Sequence, residues 1–200
     1  MIYSSEKTPS ELIPIFYADH QLGIDGGQSS LHVKMDIAKG IYFFVPNFDA
    51  RRKAVPWHDI HHLITDYSAG TFIGECEISA WEVASGCKGY WAAFLIDTSG
   101  VLMGCFINPR KILHAYARGR RTYNLYHDLY PMEKVLDTPV SEIRKWLLLD
   151  TYPEETAPTF TDILSLGVFL IFAGIYSIMS VIFIPFLVIY NIWFHLRVKE

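Results

Sequence analysis

Apolar residues follow two regimes along this chain. Up to about residue 160 they recur in short helical patterns between polar positions, and over residues 163–196 they run on almost unbroken. His195 is the sole titratable basic or acidic side chain in that run. Its length exceeds the roughly 18 apolar residues that separate a membrane helix from a buried soluble one. A single unbroken helix would measure about 51 Å against a hydrocarbon core of about 30 Å. The run is therefore expected to tilt, break or end in the interface, with Pro185 as the natural kink because it lacks a backbone donor. A short hairpin satisfies the pattern, and so does one span from residue 163 to about 184 followed by an interfacial segment. Tyr190, Trp193 and His195 would form an interfacial belt, with Arg197 and Lys199 at a cytoplasmic end.

Ahead of this run the pattern predicts helices. Residues 1–30 are polar, contain Asp25-Gly26-Gly27, and predict an arm with one short helix. Residues 33–48 are ambiguous, since Gly40-Ile41-Tyr42-Phe43-Phe44-Val45 has strand composition over a short stretch. Pro56 stands where a helix start tolerates it, which predicts a helix over about 57–67. A second helix is expected over about 74–85, stopped by Gly86. Residues 90–106 are apolar and broken by Thr98-Ser99-Gly100. Pro109 opens a basic helix and Pro139 the last soluble one. The expected fold is mainly α. It comprises an arm (1–30), a compact helical domain (31–150), a linker (151–162) and a transmembrane or re-entrant hydrophobic segment (163–200).

Charge narrows the partners. Fifteen basic and twenty acidic residues precede residue 163, an acidic balance that argues against nucleic acid. No acid occurs between Asp97 and Asp128, whereas Arg110, Lys111, Arg118, Arg120 and Arg121 cluster there. On a helix Lys111, His114, Arg118 and Arg121 share one face. That face is either solvated or, beside a membrane segment, a contact for anionic headgroups through Lys111, Arg118 and Arg121. The three cysteines form no CxxC pair and read as small buried hydrophobes in a reducing compartment. The opening residues from Met1 resemble neither a signal peptide nor an Arg-rich transit sequence. There is no glycine-rich phosphate loop.

The chemistry-bearing stretch is His58-Asp59-Ile60-His61-His62, followed by Glu75. Histidines four apart on a helix lie on one face and can reach one cation. Asp59 can be a ligand or a partner that fixes a histidine tautomer, and Glu75, opening the second helix, can close the set. His58, Asp59, His62 and Glu75 are thus the expected metal ligands, with Asp59 and Glu75 also as candidate general bases. His61 and Glu77 are expected to lie off the site. Zinc comes first among the cations, with magnesium, manganese and iron also compatible with a mixed His and carboxylate set.

These residues resemble a known family, the fourth coenzyme Q biosynthesis proteins (the Coq-four family). The shared pattern is His58-Asp59-x-x-His62, a spacer, Gly74-Glu75 and Glu82, then Ala117-Arg118-Gly119-Arg120-Arg121, Glu133, Pro139, Glu142 and Arg144. It covers about residues 30–150. The spacer before Glu75 is one residue longer than in the family, Met132 stands in place of an aromatic, and the membrane segment lies outside the family domain. The resemblance implies a compact helical protein holding a divalent metal and a polyprenylated aromatic intermediate. It places the chain in ubiquinone synthesis, at decarboxylation and hydroxylation of ring C1, beside other quinone-biosynthesis enzymes. The domain would sit on the cytoplasmic side of a bacterial inner membrane or its equivalent. Two alternatives remain: a non-catalytic organiser presenting such lipids to partner enzymes, and a metal-dependent membrane hydrolase.

Overall fold

A computed structural model describes residues 3–38 and 41–197. Met1, Ile2, Gly40 and Lys199 lie outside the described residues, as does the side chain of His195. The described chain is mainly helical, with one two-stranded antiparallel hairpin, β1 (His32–Ala38) and β2 (Ile41–Pro46). The ambiguous stretch therefore resolves as strand, with His32 opposite Pro46 and Asp36 opposite Tyr42.

The expected arm is part of the core. Helix α1 (Pro9–Asp19) starts with a capping box in which Thr8 and Glu11 satisfy each other's backbone N–H groups. It buries Leu12, Phe16 and Tyr17. Helix α2 (Asp49–Thr65) begins well before the expected start, with Asp49 in its first turn where the helix dipole favours an acid. Pro56 consequently lies inside α2, where its missing N–H leaves one carbonyl without its partner. Arg118 donates to the Thr65 carbonyl and Arg144 to that of Ile64, at 3.0 and 2.6 Å. Two cations thereby satisfy carbonyls that the end of α2 leaves open.

Helix α3 (Phe72–Ser85) lies along both α4 (Trp91–Ile107) and α5 (Pro109–Gly119). The break expected at Thr98-Ser99-Gly100 is absent, because Thr98 and Ser99 return their hydroxyls to the carbonyls of Phe94 and Leu95 and the helix continues. The glycines of α4 set its spacing. A Cβ on Gly104 would stand 2.5 Å from Ile112 of α5 and 2.7 Å from Cys76 of α3. Short helix α6 (Met132–Leu136) packs on α1 and α7 (Val140–Trp146) on α2.

The hydrophobic run forms α8 (Phe160–Val181) and α9 (Ile184–Arg197), separated at residues 182–183. Pro185 falls in the first turn of α9, where a missing N–H costs nothing. By length and composition α8 can cross a membrane: it has 22 residues and a mean hydropathy of 2.1. Its start is fixed to the domain. Asp162, 2% exposed, accepts from Arg120 at 2.9 Å and Arg121 at 2.6 Å. Tyr116 meets Ser165 at 3.1 Å and packs on Phe169, and Phe94 packs on Phe169 and Phe172. Helix α9 then returns to the base of the hairpin. Asn191 accepts from the Phe44 N–H at 2.7 Å and donates to its carbonyl at 3.0 Å, and Tyr190 bonds His32.

Gly104→Ala is expected to cost about 1–3 kcal/mol by overpacking three helices at once. Gly167→Ala on α8, where an added Cβ meets nothing, should be neutral or mildly stabilising. Thermal melts of the two variants in detergent check this; equal midpoints would show that α3, α4 and α5 are not closely spaced there.

Candidate metal centre

Three residues from two helices converge. His58 and His62 lie one turn apart on α2, and Glu75 opens α3 after the Thr71 cap, whose hydroxyl accepts the Gly74 N–H at 3.2 Å. The Nε2 atoms of His58 and His62 are 3.2 Å apart. Glu75 places one carboxylate oxygen 3.5 Å from each of them. Ligands held about 2.0–2.1 Å from one ion at tetrahedral angles are separated by roughly 3.3–3.4 Å. The two imidazole nitrogens stand close to that spacing, and the Glu75 carboxylate brackets them, Oε2 toward His58 and Oε1 toward His62.

Hydrogen bonding decides which nitrogens face inward. His62 Nδ1 lies 2.8 Å from the Tyr67 carbonyl, which only accepts, so Nδ1 donates. His58 Nδ1 lies 3.0 Å from Glu82 Oε1 and donates to it. Both Nε2 atoms are thereby left with lone pairs when the rings are neutral, and the lone pairs face each other. Such a contact is repulsive unless a proton or a cation lies between. His61 is different. Its Nε2 accepts the Leu125 N–H at 3.0 Å and its Nδ1 donates to Glu82 at 2.5 Å, so neither nitrogen is free for a metal.

Burial and charge act together here. Burial disfavours a charged His58, yet the carboxylates of Glu82 and Glu75 raise it well above the ordinary imidazole range. Burial alone would raise Glu75; hydrogen bonds and charge from the two imidazoles bring it down to about 2. Glu82, fully buried, is held well below the usual carboxylate range because His58 and His61 outweigh its desolvation. Behind it Asp97 is pushed well up by burial and by the charge on Glu82. Glu82 thus stands where a carboxylate would back His58 as a metal ligand, an arrangement that fixes ring orientation and raises ligand basicity.

Among the described residues, the His and carboxylate groups close enough to share an ion are His58, His62 and Glu75, and His58, Glu82 and Asp97. Asp59 belongs to neither. It is buried and accepts the Tyr17 hydroxyl at 2.9 Å, while feeling the charges of His58 and His62. The expected headgroup contacts are not a free basic face. Arg118 is 1% exposed, with its guanidinium on the Thr65 and Tyr152 carbonyls and over the Tyr67 ring. Arg121 is engaged by Asp162. Lys111 pairs with Glu77 at 3.2 Å and remains half exposed. Helical spacing places these side chains on one face but is silent about which face meets the core. In the sequence Glu82 stands out only as part of the shared family pattern and Asp97 not as a site residue, although Asp97 is the one acidic or basic residue in the 17 residues of α4.

Two imidazoles and one carboxylate match the three-protein-ligand pattern of catalytic zinc, which keeps a position for water or substrate. Glu75 is 42% exposed, so the donors are reachable from outside. No family model, curated protein or solved structure matches the chain.

The double variant His58→Ala/His62→Ala should lose stoichiometric zinc and keep its helical content. Glu82→Gln should retain both ligands but weaken zinc by about 10–100-fold, since the partner behind His58 is altered. Because His58 holds its proton up to a raised pKa, zinc and the proton compete. Binding should release about one proton near neutral pH and weaken as the pH falls. Calorimetry in buffers of different ionisation enthalpy measures this; unchanged zinc binding in the double variant would sink the assignment.

Proposed function

We propose that this chain is a membrane-embedded, metal-dependent protein of ubiquinone biosynthesis that acts on the aromatic head of a polyprenylated intermediate. The observation that carries the reading is the convergence of the His58 and His62 Nε2 lone pairs with the Glu75 carboxylate at metal-ligand spacing. Zinc is the first candidate cation, and when bound it supplies Lewis acidity to a carboxylate or phenolate oxygen of the ring. The residues of the chain do the rest. Glu82 holds His58 in its metal-binding tautomer, and Tyr67 does the same for His62 through its carbonyl. Asp59, raised by burial and steadied by Tyr17, is the neighbouring group able to give or take a proton.

The resemblance to the Coq-four family supplies the substrate class, a prenylated benzoic acid derivative losing or replacing its ring carboxyl group. The apolar helices α8 and α9 support it physically, because such a substrate does not leave the bilayer. The chain departs from the domain at Asp162 and returns to it at Tyr190 and Asn191, which favours a re-entrant hairpin with both ends on the domain side. That side is the cytoplasmic one in this reading. A coordination position left for substrate favours an enzyme over a non-catalytic organiser, which has no use for it.

Lipids extracted from the purified full chain and identified by mass spectrometry test the reading. A prenylated aromatic acid should copurify, and cells carrying His62→Ala as their sole copy should accumulate it while quinone falls. Recovery of phospholipid alone, with quinone normal in the variant, would overturn the assignment.

A further inference from the structure

Helix α4 presents an apolar face that the domain does not cover. Trp91, Ile96, Met103, Phe106 and Ile107 are exposed along it, Phe106 by 79%. Its one charged residue, Asp97, points inward at 2% exposure, and Ser99 is the one exposed polar side chain among residues 91–107. Patches of this kind on a soluble surface mark a partner or a membrane.

The position of α8 says which. In a hairpin whose two ends lie on the domain side, α8 enters the bilayer by its first turns. Yet its first half is the part docked on the domain, through Ser165 and Phe169 on Tyr116 and through Phe169 and Phe172 on Phe94 of α4. The same turns of α8 expose Leu164, Val168 and Ile171 outward. Lipid deep enough to cover those residues also reaches the helix packed beside them. The charge pattern agrees, since Arg110 and Lys111 follow the end of α4 and are exposed, and α5 contains no acid.

We propose that the outer face of α4 is a second membrane-contacting surface, lying in the headgroup and upper acyl region of an anionic phospholipid bilayer beside α8. With 17 residues it spans about 26 Å and is too short to cross. It lies at the interface instead, as an amphipathic helix does when one face is polar or protein-bound. Arg110 meets the headgroups there, beside Lys111 on its Glu77 pair. The consequence is geometric: α3, which carries Glu75 and packs on α4, is held at the lipid surface, so a substrate head rising from the bilayer has a short path to the metal centre. This inference rests on the reading of α8 as a membrane segment but not on the identity of the substrate.

The test uses the full chain in vesicles of phosphatidylcholine and phosphatidylglycerol doped with a phospholipid carrying a photoactivatable diazirine in its acyl chain. After illumination and proteolysis, mass spectrometry should find lipid adducts on residues 91–107 as well as on α8. Met103→Glu with Phe106→Glu should abolish the adducts on α4 and leave those on α8, with zinc stoichiometry reporting that the domain is still folded. Adducts on α8 alone would overturn the proposal while leaving the membrane reading intact. A chain that sediments as a dimer in detergent, and as a monomer once Met103 and Phe106 are replaced by Glu, would overturn it in favour of self-association. Adducts on neither helix would overturn the membrane reading and this surface together.

Discussion

Glu82 carries its charge at zero exposure, and an isolated buried carboxylate costs several kcal/mol. It is tolerated because the Nδ1–H groups of His58 and His61 both point at one of its oxygens and the Tyr126 hydroxyl lies 3.4 Å from the other, while Asp97, its carboxyl pushed up by burial and by Glu82, stands behind. Those groups come from α2, α4 and the one-turn helix Leu125–His127, and Glu82 itself from α3, so satisfying one charge ties four elements together. Removing any partner leaves a buried polar group unpaired, which is why the cluster behaves as a unit. It also sets the chemistry. With Nδ1 of His58 committed inward, Nε2 is the nitrogen presented to Glu75 and His62.

The hydrophobic segment is coupled to that cluster through the packing of α4. Asp97 faces Glu82 from one side of α4, while Phe94, one turn earlier, meets α8. Asp162 anchors the start of α8 on Arg120 and Arg121, and Asn191 ties α9 to the hairpin backbone. Domain and hydrophobic segment are therefore joined at both ends rather than strung on a linker. In the proposed function this brings the ligands close to a lipid substrate without a carrier step.

Much of this was legible in the sequence. The pairing of His58 with His62 follows from helical spacing alone, and the end of α3 follows from the stop at Gly86. The apolar run and its break near Pro185 were legible from length. What was not legible depends on long-range partners. Nothing local distinguishes Arg118 from Arg121, yet one is buried under α2 and the other reaches Asp162, 41 residues away. Asp59 looks like a ligand by spacing, but Tyr17 in the presumed arm claims its carboxylate at a separation of 42 residues. The α1 helix read as an arm because its buried stripe, Leu12, Phe16 and Tyr17, is too short to stand out from its polar flanks.

The account turns on two imidazoles and one carboxylate sharing a single ion. X-ray absorption at the zinc edge of the zinc-loaded full chain measures that shell directly. The account predicts four light-atom ligands at about 2.0–2.1 Å, with the outer-shell scattering of two imidazoles and a coordination position filled by water. A shell containing sulfur, or one lacking imidazole scattering, would contradict it.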